Sequence, residues 1–111
     1  MLFLFTTTTI VVIIYNMKAL LLLKQRLILS EFAFAEIIIW ELQASLDGST
    51  HNYKYRLAYV VNNHCVLRYD NEAGKGNHVH INEQELSYDF VSTEQLIDDF
   101  FAQIKGMENP S

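Results

Sequence analysis

Apolar and polar positions alternate with a two-residue rhythm through residues 53–61 (YKYRLAYVV) and 64–71 (HCVLRYDN), the signature of half-buried strands. Asn62-Asn63 separates the runs and tolerates the positive φ of a two-residue type I′ loop, which predicts a hairpin. Such a loop sets Val61 against His64; counting outward then opposes Arg56 to Tyr69 and Tyr55 to Asp70. In that register Ala58, Val60, Cys65 and Leu67 line one face near the turn. Lys54, Arg56, Arg68, Tyr69, Asp70 and Asn71 gather at the open end.

Residues 18–29 suit a buried helix by propensity and a strand by length, and are assigned to a strand. Residues 31–43 (EFAFAEIIIWELQ) are rich in Phe, Ile and Trp and predict a strand buried over much of its length. Asp47-Gly48-Ser49-Thr50 marks a turn, and residues 72–77 (EAGKGN) a short glycine loop. His78-Val79-His80-Ile81 reads as a strand with both histidines on one side, and residues 88–91 as a last short strand. Ser92-Thr93-Glu94-Gln95 fits a capping box opening a helix to about Lys105, with Gln95 reaching back to the cap. Leu96, Ile97, Phe100, Phe101 and Ile104 form its apolar stripe, Asp98, Asp99 and Gln103 its wet side, and Lys105-Gly106 its end. The expected fold is α+β, an antiparallel sheet of four to five strands with one C-terminal helix packed on it.

A chain of 111 residues accommodates one compact domain. Residues 1–16 carry no charge and lack the basic flank and small-residue cleavage site of a secretory signal. They are too short and too threonine-rich for a membrane helix. An edge strand packed on the body is one reading of them. The preferred one is an upstream extension, with a single domain over residues 17–111. Cys65, the only cysteine, excludes an intrachain disulfide and reads as inert core, which fits a reducing cytoplasm.

The net charge of −5 is unevenly spread. Residues 78–111 hold seven acids against Lys105, whereas residues 51–80 hold Lys54, Arg56, Arg68, Lys75 and all four histidines against Asp70 and Glu72. A local basic site therefore fits inside an acidic protein. Gly74 and Gly76 would let backbone amides and the Lys75 ammonium approach a phosphate, although the spacing is not that of a Walker A loop. A plain glycine turn with a solvated lysine is the alternative.

His78 and His80 project from one face, as metal ligands or an acid–base pair would. With Asp70 and Glu72 they offer a mixed nitrogen and oxygen set for a divalent ion, though no complete ligand spacing is present. Without metal, one imidazole would accept a ribose 2′-hydroxyl proton while the other, or Tyr69, protonates the leaving 5′-oxygen. Arg56, Arg68 and Lys75 would then stabilise the phosphorane. Against these stand a strand with two half-exposed histidines and a structural Arg68–Asp70 ion pair. Tyr53, Tyr55 and Tyr59 alternate as a base-stacking row or, more commonly, one wall of a core. The candidate site is thus His78, His80, Tyr69 and Asp70 for catalysis, with Lys54, Arg56, Arg68, Lys75, Gly74 and Gly76 for substrate.

The succession MKALLLLKQRLILSEFAFAEIIIWEL, HNYKYRLAYVV, CVLRYDNEAGKGNHVHI and YDFVSTEQLIDDFF resembles the TumE-like toxins of prokaryotic toxin–antitoxin pairs, from Met17 to about Ile104. KYRLA, CVLRYDNEAGKG and the following His-x-His carry most of the likeness. The resemblance implies a small α+β protein of the cytoplasm, encoded beside a helix-turn-helix antitoxin that binds it, with a nuclease-like action on RNA. A homo-oligomer is compatible with it, and no membrane partner is implied. A protein-binding module acting by contact alone is the alternative function. Two departures stand out: Asn62-Asn63 replaces an Asp-Gly or Gly-Gly turn, and Asn77-His78-Val79-His80 replaces Asp-His-Arg-His. The second removes a base from the phosphate site, at Val79, and an acid from any metal site, at Asn77.

Overall fold

β-Branched and aromatic residues recur through residues 33–81, and in a computed structural model of the protein the described residues up to 87 form one antiparallel meander. The structure describes residues 11–14 and 17–108, with side chains from residue 18 onward. The strands are β1 (Val11–Ile14), β2 (Met17–Ser30), β3 (Ala33–Leu42), β4 (Tyr53–Val61), β5 (His64–Glu72), β6 (Gly76–Ile81) and β7 (Gln84–Ser87), followed by helix α1 (Thr93–Glu108). Each strand pairs with the next, so spatial order equals chain order.

The α+β class holds, but the sheet is larger than the four to five strands expected, with six strands from Met17 onward. Gln84–Ser87 forms the unanticipated β7, while residues 88–91 are irregular where a strand was expected. Val11–Ile14, within the expected extension, pairs with the start of β2. The rest of that extension, residues 1–10 and 15–16, and the tail from residue 109 lie outside the described residues.

Helix α1 lies on one face of the sheet because its stripe and the sheet's alternation bury the same surface. Leu96, Phe100 and Ile104 pack with Ala35, Ile37 and Ile39 of β3, Tyr55, Leu57 and Tyr59 of β4, Leu67 and Tyr69 of β5, and Val79 of β6. The Ser92 hydroxyl accepts from the Gln95 amide at 3.0 Å, as expected of the cap. The Gln95 side chain turns the other way and donates to Asp99 Oδ1. The helix also continues through Gly106 to Glu108 rather than stopping near Lys105.

The Asn62-Asn63 loop has φ values of 51° and 66°, as a type I′ turn requires, and Val61 opposes His64. Two residues further out the expected register fails. A β-bulge follows the Val60–Cys65 pair, so Tyr59 opposes Leu67 and Arg56 opposes Asp70 instead of Tyr69. A one-residue shift exchanges the faces of everything beyond it. Leu67, Tyr69 and Asn71 therefore turn toward α1, and Arg68 and Asp70 turn away. Cys65, expected in the core, is exposed beside the bulge.

Candidate functional site

The face opposite α1 collects the polar residues of the central strands in rows. Ile38, Arg56, Asp70 and His78 are successive cross-strand partners on β3 to β6. Glu36, Ala58, Arg68 and His80 form the adjacent row, ending on Glu85 of β7. Strand spacing sets neighbours within a row about 5 Å apart, close enough for direct side-chain contact.

Asp70 is the hub of this arrangement. Its Oδ2 accepts from Arg68 Nε at 2.9 Å, and its Oδ1 lies 3.4 Å from His80 Nε2. The carboxylate side chain is only 13% exposed, against 25% for His80 and 32% for Arg68, so the contact is partly shielded from water. His78 is held from the other side, with Nε2 3.7 Å from Glu85 Oε1, and the two imidazole centroids are 6.4 Å apart. Only one of the five guanidinium donors of Arg68 is used by Asp70.

Two further cations flank the hub. Arg56 is exposed and makes no hydrogen bond or ion pair among the described residues. The Lys54 ammonium donates to the Asn71 carbonyl oxygen; burial pulls its pKa below the ordinary value, opposed by Asp70 and Glu72. Lys54, Arg56 and Asp70 share a depression of about 240 Å³ with Ile38 and Trp40.

Two expectations for the site change. Tyr69 lies on the opposite face, 5% exposed and edge-on to Tyr88 and Phe100, with its phenol pKa raised by burial and then by Asp99. It cannot reach the histidines. Gly74 and Gly76 do adopt positive φ, at 81° and 77°, but the loop is folded in on itself. The Gly74 amide donates to the Asp47 carbonyl at 2.7 Å and the Lys75 amide to Glu72, so neither amide points to a phosphate. Lys75 projects into solvent beside Glu72. Glu72 Oε2 lies 3.8 Å from the Lys75 ammonium, and among the described residues no three His, Cys, Asp or Glu side chains form a metal-binding group. The tyrosine row Tyr53, Tyr55 and Tyr59 is a core wall.

Sequence reasoning missed Trp40 and Ile38, which border the depression from β3. Their alternation with Glu36 was visible, but the pairing of β3 with β4 was not. It also passed over His51, on the helix side. His51 Nδ1 accepts from the Tyr53 amide, so Nε2 carries the proton and donates to Asn77 Oδ1 at 2.8 Å; Tyr55 donates to the same oxygen. This network and Asn71 pin the ends of β4, β5 and β6 beneath the polar face.

A meander with one helix, and a carboxylate–imidazole–guanidinium cluster on its other face, defines a small α+β protein. The chain matches the family of toxin TumE over residues 15–108, and it belongs to that toxin family. No curated protein and no solved structure matched it. Among the described residues no helix is long and apolar enough to cross a membrane.

Proposed function

We propose that this TumE-family toxin is a ribonuclease whose reaction centre is His80, Asp70, His78 and Arg68. The observation that carries the reading is Asp70, which engages Arg68 and His80 at once on the polar face. A carboxylate against one imidazole nitrogen favours the proton there and leaves Nδ1 of His80 basic. His80 would take the 2′-hydroxyl proton as the 2′-oxygen bonds to phosphorus. The bond to the 5′-oxygen breaks, and His78, as imidazolium, donates its proton to that leaving group. The products are a 2′,3′-cyclic phosphate and a 5′-hydroxyl end. Glu85 Oε1 lies 3.7 Å from His78 Nε2, while Arg56 and the remaining donors of Arg68 would face the charge that grows on the phosphoryl oxygens.

A cognate antitoxin of helix-turn-helix type, acting in the cytoplasm, is the partner this reading calls for. The test is induced expression in a bacterial host. Growth arrest by the parent and none by His80→Ala or Asp70→Asn, with both variants folded by circular dichroism, supports the ribonuclease. Arrest that persists in His80→Ala overturns it and favours a toxin that acts by protein contact. Cleavage abolished by a chelator and restored by a divalent ion would replace the two-histidine mechanism with a metal-dependent one.

A further inference from the structure

We propose that Trp40 is a base-stacking subsite and that the substrate is single-stranded RNA laid across the face from β3 toward β6. The inference rests on the ribonuclease reading and adds to it the form of the substrate and a residue that holds it. Trp40 stands directly opposite Lys54 and borders the depression shared with Ile38, Arg56 and Asp70. On its other side it packs against the buried cluster of Ala19, Leu42 and Leu46, which fixes the indole in place. A pre-positioned aromatic ring beside a cationic row is what unpaired bases and their phosphates require.

Charge points the same way. Lys24, Lys54, Arg56 and Arg68 lie on this face, with neither Lys24 nor Arg56 in an ion pair among the described residues. The acids Glu94, Asp98, Asp99 and Glu108 sit on α1, behind the opposite face. Glu36, Asp70 and Glu85 share this face but lie against Arg26, Arg68 and His78, so the cations left over are Lys24 and Arg56, which flank Ile38 beside Trp40. Trp40 and Asp70 are two strand spacings apart across the sheet and two residues apart along it, about 12 Å, so a base on the indole leaves a neighbouring phosphate to reach the hub. Phe34, the other ring on this part of the sheet, is already covered by Arg26 at 4.4 Å. A duplex keeps its bases stacked inside and offers the indole nothing to bind.

Trp40 is the only tryptophan in the chain, so its emission reports this subsite alone. The experiment titrates the full chain with a short 2′-O-methyl RNA oligonucleotide, which cannot undergo 2′-hydroxyl attack, as a single strand and as a duplex. Saturable quenching by the single strand and none by the duplex is expected. By anisotropy of the same oligonucleotide carrying a fluorescent label, Trp40→Leu should bind the single strand about 5- to 150-fold more weakly than the parent, and Trp40→Tyr should restore most of the affinity. Silent emission, equal affinity of Trp40→Leu, or a loss that tyrosine does not restore each overturns the subsite. The two readings separate cleanly. His80-dependent cleavage with silent emission removes the subsite and keeps the ribonuclease. Trp40-dependent binding without cleavage of any RNA removes the ribonuclease and keeps the subsite.

Discussion

Asn71→Leu should destabilise the protein by about 2–4 kcal/mol, although the two side chains are of similar size. Asn71 is 1% exposed, and its amide replaces a missing rung between β4 and β5. Backbone pairing stops at Arg56 and Asp70; beyond it the Asn71 Nδ2 donates to the Tyr53 carbonyl at 2.7 Å and the Tyr55 amide donates to Oδ1 at 3.0 Å. Leucine fills the space and leaves both backbone groups without a partner. Each such loss costs about 1–3 kcal/mol; the Tyr55 amide, under a residue 1% exposed, lies at the upper end, and the Tyr53 carbonyl, under a half-buried residue, at the lower. With a urea dependence of about 2 kcal/mol per molar, the unfolding midpoint should fall by roughly 1–2 M. A variant whose urea melt overlays the parent's would refute the claim that this side chain closes the sheet beneath the site.

Phe100→Ala should cost about 3–5 kcal/mol, a large part of the stability of so small a domain, because the ring is fully buried against Tyr69 and the sheet; a coincident chemical melt would take α1 out of the core. Stability should fall as pH rises above about 10, since Tyr55, Tyr59, Tyr69 and Tyr88 all have phenol pKa values raised, chiefly by burial, and the unfolded chain releases those protons first. Lys54, lowered from 10.5, acts in the opposite sense as one group against four, so urea midpoints that rise between about pH 9 and pH 11 would contradict this sign. Lys75→Ala should leave growth arrest and the salt dependence of RNA binding unchanged and shift stability by less than about 0.5 kcal/mol, because the lysine is solvated and its loop amides are engaged; a weaker salt slope would return the glycine loop to the site.

The sequence showed the hairpin and lost its far end for one physical reason. Asn62-Asn63 advertises its own φ values, so the turn and its first two pairs were legible. A bulge at Val66 has no signature in CVLRYD, because inserting one residue leaves the two-residue alternation of each strand intact on either side. That one residue decided which of Tyr69 and Asp70 shares a face with Arg56, whereas the register of β5 with β6 sets Asp70 opposite His78. The gathering of Lys54, Arg56, Arg68 and Asp70 survived because distance from the turn does not depend on facing. The glycine loop was legible as a turn, but its docking onto Asp47 is a contact between distant segments that local spacing does not encode. Trp40 was hidden for a related reason, since strand partners beyond a hairpin are set by packing rather than by neighbouring residues.

The most direct measurement is the chemistry of the RNA ends left by the purified protein in excess chelator. The Asp70–His80 and His78 arrangement predicts fragments ending in 2′,3′-cyclic phosphate and 5′-hydroxyl, formed by the parent and not by folded His80→Ala. Cleavage that persists undiminished in His80→Ala, or that leaves 5′-phosphate and 3′-hydroxyl ends, would contradict it.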